Sequence, residues 1–263
     1  MNHMQDRALS ELIRVVGQAN FPETLSYFFS KLASFDNLLV IAYYKDHNPH
    51  ILYRERLNPD IHKNIDSHYI KAAYLLDPFY HAICNGIQRG VHRLFDIAPD
   101  KFKQTSYFKE YYQQTTNLDE VAIFARVNHD TTITACFGRD CTSNKAFTKN
   151  EINLLKSFEK VLITLCEMQW KNYQPSEGKG IILGSVVSRL RSSLNNNTGI
   201  ALSPRQAEVA LLILQGHSSL SISLNLNISK ETVKVFRKQL YGKCNISSQA
   251  ELFALLLPMM SLL

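Results

Sequence analysis

The chain of 263 residues has a single tryptophan, Trp170, and only five cysteines. Those cysteines, Cys84, Cys136, Cys141, Cys166 and Cys244, form no C-x-x-C pair, and no histidine completes a zinc spacing. No metal site and no cofactor is therefore expected. The thiols read as structural, with redox sensing left open for Cys136 and Cys141. No apolar run approaches the roughly 18 residues needed to cross a bilayer, and Met1–Ser10 lacks a signal-peptide core. The expectation is a cytoplasmic protein with no membrane partner. No Gly-rich phosphate loop, Ser/His/Asp signature or paired-carboxylate motif stands out, so nothing points to an enzyme.

Acidic residues are scarce at one end. Residues 178–263 hold nine of the 29 Lys and Arg but only three of the 23 Asp and Glu, so the net charge of +6 belongs to that third. The preceding part is neutral. Such asymmetry points to a polyanion partner for the C-terminal piece; on charge alone a merely solvated basic face stays open beside it.

What is present divides the chain near residue 174. Gln174-Pro175-Ser176-Glu177-Gly178-Lys179-Gly180 collects Pro and Gly between patterned segments. Residues 1–173 then form one domain, 174–199 a linker with a connector helix over Ile181–Leu194, and 200–263 a second domain. Asn195-Asn196-Asn197-Thr198-Gly199 is read as a second break. In the first domain, helix patterns cover Asp6–Gln18, Pro22–Ala33, His68–Cys84 and Lys101–Thr115. β-rich runs cover Leu38–Tyr44, Ile51–Glu55, Val121–Val127 and Thr131–Phe137 and predict two hairpins. Thr148 and Glu151 make a capping box that opens one long helix through Met168. Helices covering an antiparallel sheet give an α+β sandwich. This part holds 11 of the 12 tyrosines and 12 of the 14 phenylalanines, which make either an aromatic core or a ligand pocket.

From Leu202 onward the pattern is all helical and predicts four helices. Ser203 caps the first, Pro204 suits its first position, Gln206 completes a capping box and Gly216 ends it. Ser218–Leu226 is a short second helix, Asn227-Ile228-Ser229 a tight turn, and Ser229 caps a third helix that runs to about Lys243. Gln249–Leu257 is the fourth. Two short helices across a three-residue turn make a helix-turn-helix, whose second helix enters the major groove. Lys230, Lys234, Arg237 and Lys238 recur on one face of that helix, while Val233, Phe236 and Leu240 share another.

Three stretches carry a resemblance: Leu202-Ser203-Pro204-Arg205-Gln206-Ala207-Glu208-Val209, Ile228-Ser229-Lys230-Glu231-Thr232-Val233-Lys234-Val235, and Ile246-Ser247-Ser248-Gln249-Ala250-Glu251-Leu252. Together they resemble the LuxR-type helix-turn-helix over about 60 residues. The resemblance implies a four-helix domain bound to double-stranded DNA as a homodimer through its last helix. It puts Lys230, Thr232, Lys234, Arg237 and Lys238 against DNA. Ser218 and Ser219 stand at the N-terminus of the preceding helix, where free N–H groups bind phosphate. The chain departs from the family at Ser219-Leu220-Ser221-Ile222-Ser223, Phe236 and Cys244.

Regulators of that type carry an input domain. Leu38–Tyr44 ends in Lys45-Asp46 without the acidic pair of a phosphoreceiver. Residues 68–80, around Asp77-Pro78, are instead similar to the ligand-binding segment of the GAF-like α/β/α sandwiches of quorum-sensing regulators. By that resemblance Asp77 accepts a hydrogen bond from a small-molecule ligand, with Tyr69 and Tyr74 lining the pocket. The pocket tryptophan expected downstream is missing. Asp77-Pro78 also reads as a helix cap, and the domain as a protein-interaction and dimerisation module with no small ligand; all these readings stay open. The expected function is a ligand-modulated, DNA-binding transcriptional regulator.

Overall fold

The structure is a computed structural model and describes residues 3–44, 48–61, 65–112, 117–174 and 183–260. The turn at Lys45-Asp46-His47 and the Pro/Gly-rich stretch 175–180 lie outside the described residues. In chain order run α1 (His3–Arg14), α2 (Phe21–Ser30), β1 (Asn37–Tyr44), β2 (His50–Arg56), α3 (Pro78–Cys84), β3 (Gly90–Arg93), α4 (Leu94–Ile97), β4 (Asn117–Arg126), β5 (Thr131–Asp140), α5 (Lys149–Ser157), α6 (Glu159–Trp170), α7 (Leu183–Thr198), α8 (Pro204–Gln215), α9 (Ser219–Leu226), α10 (Lys230–Cys244) and α11 (Gln249–Met260). The chain divides into two compact units. The first is Met1–His62, Gly86–Ile97 and Thr116–Lys179, and the second is Lys63–Asn85, Ala98–Thr115 and Gly180–Leu263.

The first unit is built on a five-stranded sheet in the order β2-β1-β5-β4-β3, antiparallel at every junction. The two expected hairpins are β1–β2 and β4–β5. Strands β1 and β5 are buried along their whole length, which is why β1 reads as a nearly continuous apolar run rather than as alternation; β5 is buried although it carries three threonines, Arg139 and Asp140. One face sets Leu38, Val40, Val121, Ile123, Ala135 and Phe137 against a helical layer with Phe21, Phe28 and Phe29 of α2 and Leu155, Leu162 and Trp170 of α5 and α6. The rings of Phe29 and Phe137 stack with centroids 3.5 Å apart.

Several local expectations are corrected. The single helix over His68–Cys84 is three pieces: a π-helical turn (Ile65–Tyr69), a 3-10 turn (Ala73–Leu76) and α3. Proline excludes the α conformation from the residue before it, and Asp77 accordingly sits at φ −75, ψ 127. The helix over Lys101–Thr115 is a 3-10 turn (Phe102–Gln104) followed by a π-helical stretch (Tyr107–Tyr112), and residues 113–116 lie outside the described part. The long helix from Thr148 breaks at Phe158 into α5 and α6, although its Thr148–Glu151 capping box is present. Helix α7 runs through the Asn triplet to Thr198, and the break falls at Gly199, whose φ is +73.

In the second unit α8 is central, touching α7, α9, α10 and α11. Its Ala207, Ala210 and Leu214 are buried, as are Ile222, Val233, Leu240, Leu252 and Leu256 of the later helices. The mixed α/β N-terminal part and the four C-terminal helices α8–α11 agree with the expected fold class.

Candidate nucleic-acid interface

Three successive helices end in the same way, and this fixes where the helix-turn-helix points. Gly216, Asn227 and Asn245 all adopt the left-handed conformation, at φ +96, +51 and +51. After each, the next N–H bonds back to the last turn: His217 to Leu212 O at 3.0 Å, Ile228 to Ser223 O at 3.0 Å and Ile246 to Tyr241 O at 3.0 Å. This is the Schellman geometry, in which Gly has no Cβ penalty and Asn tolerates the conformation better than other residues. The starts are as well defined. Ser203 and Gln206 form the reciprocal capping box, Ser218 Oγ accepts Ser221 N–H at 3.2 Å, and Ser229 Oγ accepts Thr232 N–H at 3.0 Å. The three-residue turn Asn227–Ser229 is thus a left-handed cap joined to a serine cap, and α10 leaves it in one direction.

Helix α10 is two-faced. Val233 and Leu240 are fully buried and Cys244 nearly so, while Phe236 is half-buried. Lys230, Lys234 and Lys238 are exposed on the outer side, and Thr232 is partly exposed. The only acid on the helix, Glu231, lies 4.0 Å from the Lys234 ammonium at an exposed position, a pair too screened to hold the lysine. Arg237 is more constrained. Its guanidinium lies 5.2 Å from the Tyr241 ring centroid and donates to Tyr241 Oη at 3.3 Å. Lys243 turns elsewhere, donating to the Ala201 carbonyl at 3.0 Å. The sequence assigned neither Tyr241, which orients Arg237, nor Val235, which is 52% exposed beside Lys234. The available signal is that Val235 stands two residues from Val233, on the opposite side of the helix from Val233 and Leu240. Ser218 and Ser219 stand at the cap and first position of α9, as expected.

The second group of candidate residues also comes together in the second unit. Asp77 caps α3, its Oδ1 accepting Phe79 N–H at 2.7 Å. Its Oδ2 accepts the Tyr69 hydroxyl at 2.6 Å, and Tyr107, which the sequence did not single out, bonds to the same carboxyl. Burial pushes the Asp77 carboxyl up to about 6, against the bonds from Tyr69, Phe79, Tyr80 and Tyr107. Tyr74 is fully buried, with its ring edge-on to Tyr80 at 4.8 Å and tilted to Tyr69 at 6.5 Å. The same unit contains a cavity of about 290 Å³ lined by Leu75, His81, Val186, Leu211, Gln215 and His217 among others. Burial holds His81 down to about 4, and its Nε2 bonds to the Leu75 carbonyl. Among the described residues no cluster of His, Cys, Asp and Glu can hold a metal ion, and all five cysteines are free thiols. No described helix is long and apolar enough to cross a membrane.

A capped helix-turn-helix with an outward basic face, preceded by a mixed α/β domain, defines a two-part DNA-binding transcriptional regulator. The profile of bacterial regulatory proteins of the luxR family, GerE, matches residues 201–256. A protein of Aeromonas salmonicida, named for an HTH-type transcriptional regulator in the exeN 3′ region, is 31% identical over 187 residues, which cover 69% of this chain and 93% of that one. The chain belongs to the LuxR family of transcriptional regulators, a family of DNA-binding proteins and not of enzymes. The LBD domain of VqsR from Pseudomonas aeruginosa superposes with a TM-score of 0.55 at 22% identity, over 66% of this chain and all of that one, so the N-terminal part shares its fold. Escherichia coli SdiA covers 96% of both chains with a TM-score of 0.39 at 14% identity.

Proposed function

We propose that the protein is a homodimeric regulator whose α10 enters the major groove of its operator. Lys230, Lys234 and Lys238 neutralise phosphates or reach base edges, Arg237 is aimed by Tyr241, and Thr232 lies at the groove end of the helix. Ser218 and Ser219 bind backbone phosphate at the N-terminus of α9. The observation that carries this reading is the division of α10 into a buried Val233/Leu240 side and an outer side of exposed lysines. An amphipathic helix needs the first but not the second. Val235 adds an apolar group for a thymine methyl. A gel shift on the full chain tests the reading. Replacing Lys234 and Arg237 together by Ala removes two contacts, each worth about 1–3 kcal/mol, and should weaken specific binding roughly a hundredfold or more. Unchanged binding would remove α10 as the reader.

For the input, the leading reading is a small-molecule ligand contacting Asp77, Tyr69 and Tyr74. A specific observation favours the second reading, a domain for protein interaction or dimerisation alone. Both carboxylate oxygens of Asp77 are already bonded, one to the backbone of α3 and one to Tyr69, as a structural cap requires. Native mass spectrometry of the protein from its own host separates them. Extra mass that disappears in Asp77→Ala supports the sensor, and a dimer without it supports the interaction module.

A further inference from the structure

The N-terminus of α9 already carries an anion. The backbone N–H of Ser218 donates to Asp100 Oδ1 at 2.9 Å, and the Ser218 side chain bonds to the same carboxylate. One residue on, the Lys101 N–H donates to the Gly216 carbonyl at 2.9 Å. Both partners belong to the second compact unit. Gly216 has a reason to be glycine beyond its φ of +96, because a Cβ there would lie 2.7 Å from Phe102 Cα and 2.8 Å from Phe102 N. Residues 98–105 therefore lie backbone to backbone against the turn that opens α9. The stretch is itself firmly built. Thr105 Oγ1 donates to Phe102 O at 2.7 Å and accepts Phe108 N–H at 3.0 Å, and the nearly buried Phe102 ring meets those of Phe108 and Tyr112 at 5.4 and 6.1 Å.

We propose that residues 98–105 form an intramolecular clamp that competes with DNA, the Asp100 carboxylate occupying the place on α9 that a DNA phosphate takes. This rests on the reading of Ser218 as a phosphate contact. The competition follows from chemistry. One N–H and one hydroxyl that already serve a carboxylate cannot serve a phosphate oxygen as well, and two anions a few ångströms apart repel. Burial pushes the Asp100 carboxyl up, but the Ser218 bonds outweigh it and hold the group below the ordinary aspartate value, so it is an anion at neutral pH. DNA binding then requires the clamp to open, and any event that stabilises the clamp lowers affinity for DNA.

The test uses the full chain and a fluorescein-labelled random-sequence duplex, followed by anisotropy. Asp100→Ala should bind roughly three- to tenfold tighter than wild type, the gain expected for removing a charged group from a helix N-terminus with its hydrogen bonds. Asp100→Asn, which keeps the shape but not the charge, should gain less. Asp96→Ala makes the same change in net charge at an exposed position of α4 and should gain little. Equal affinities for the Asp100→Ala and Asp96→Ala variants would overturn the clamp. A second readout is amide exchange: saturating DNA should speed exchange at Lys101 in the wild type, and continued protection there with DNA bound would overturn it. The two readings fail separately. If the Lys234/Arg237 double alanine variant loses binding while Asp100→Ala gains none, the clamp alone falls. If the double variant binds as wild type does, the DNA-reading assignment falls and the clamp with it.

Discussion

A charged cluster in the sheet unit and the outer face of α10 treat charge in opposite ways. In the sheet unit, Arg139 and Asp119 go inside and are saturated there. Arg139 is 1% exposed, yet it donates to Ser34 O at 2.9 Å, Ala146 O at 2.7 Å, Ser34 Oγ at 2.8 Å and Glu151 Oε1 at 2.5 Å, with its guanidinium over the Phe147 ring. Asp119, fully buried, takes a two-pronged bond from Arg93 at 3.0 and 2.7 Å and the Phe147 N–H at 2.8 Å. Glu151 belongs at once to this network and to the cap of α5, and burial is outweighed by Arg139 and Thr148, which hold its carboxyl below the usual value. On α10, by contrast, Lys230, Lys234 and Lys238 lie in water. The charges of Arg139, Asp119 and Glu151 position loops and helix ends, whereas Lys230, Lys234 and Lys238 of α10 stay exposed to solvent. The same residue types thus do different work, and burial with partners is what tells the two uses apart.

That contrast breaks most visibly at Arg139. Removing one member of a buried, bonded charge leaves the others unpaired and costs about 3–5 kcal/mol. Arg139→Ala should therefore lower stability by that amount in urea denaturation, whereas Lys238→Ala should change it by less than about 0.5 kcal/mol. A small effect at Arg139 would remove the structural role assigned to it.

Two buried titrating groups of the helical unit should respond to acid with opposite signs. His81 is held down to about 4, below the ordinary value of 6.5. Its neutral form therefore contributes stability above pH 6.5, and this is lost as pH falls toward 4. Asp77 is raised from 3.8 to about 6, so its protonated form contributes stability in acid that is lost as pH rises through 6. Denaturation midpoints between pH 4 and 7 should show His81→Gln flattening the acid loss, an effect of order 2–3 kcal/mol at pH 4, and Asp77→Asn removing the decline toward neutrality. The same slope in wild type and both variants would contradict these assignments. A smaller loss than at Arg139 or His81 is expected at the α8 cap, where Ser203→Ala should cost about 1 kcal/mol in thermal unfolding without altering the sheet unit.

How far the sequence could be read follows the same division. Helices α8–α11 announce themselves through local signals: Ser203, Ser218 and Ser229 as caps, Gly216 as a stop, and a period that separates Val233 and Leu240 from the lysines. Each of these acts within one helical turn, so a linear reading recovers it. The sheet unit depends on partners far along the chain. β3 was not foreseen, since Gly90-Val91-His92-Arg93 is only four residues long and becomes a strand by pairing with Val121–Phe124. Arg139 gave no signal, because Ser34 stands 105 residues away. Asp77-Pro78 is legible as a cap, but the bond from Tyr107 depends on a residue 30 positions on, and the extended Asp77 that the proline requires breaks the helical pattern of the preceding turn. Asp100 carries no local signal for a similar reason, since its partner Ser218 lies 118 residues on.

The central claim is that the exposed cations of α10 meet phosphate and base edges, and its most direct test is a salt series. Affinity of the full chain for operator DNA should fall steeply with salt, with a log–log slope of about −0.9 per phosphate neutralised. Replacing Lys234 by Ala should make that slope shallower by about one per protomer bound, hence about two for a dimer, while Lys243→Ala, whose ammonium already serves Ala201, should leave it nearly unchanged. A slope that is the same in wild type and the Lys234→Ala variant would contradict the account.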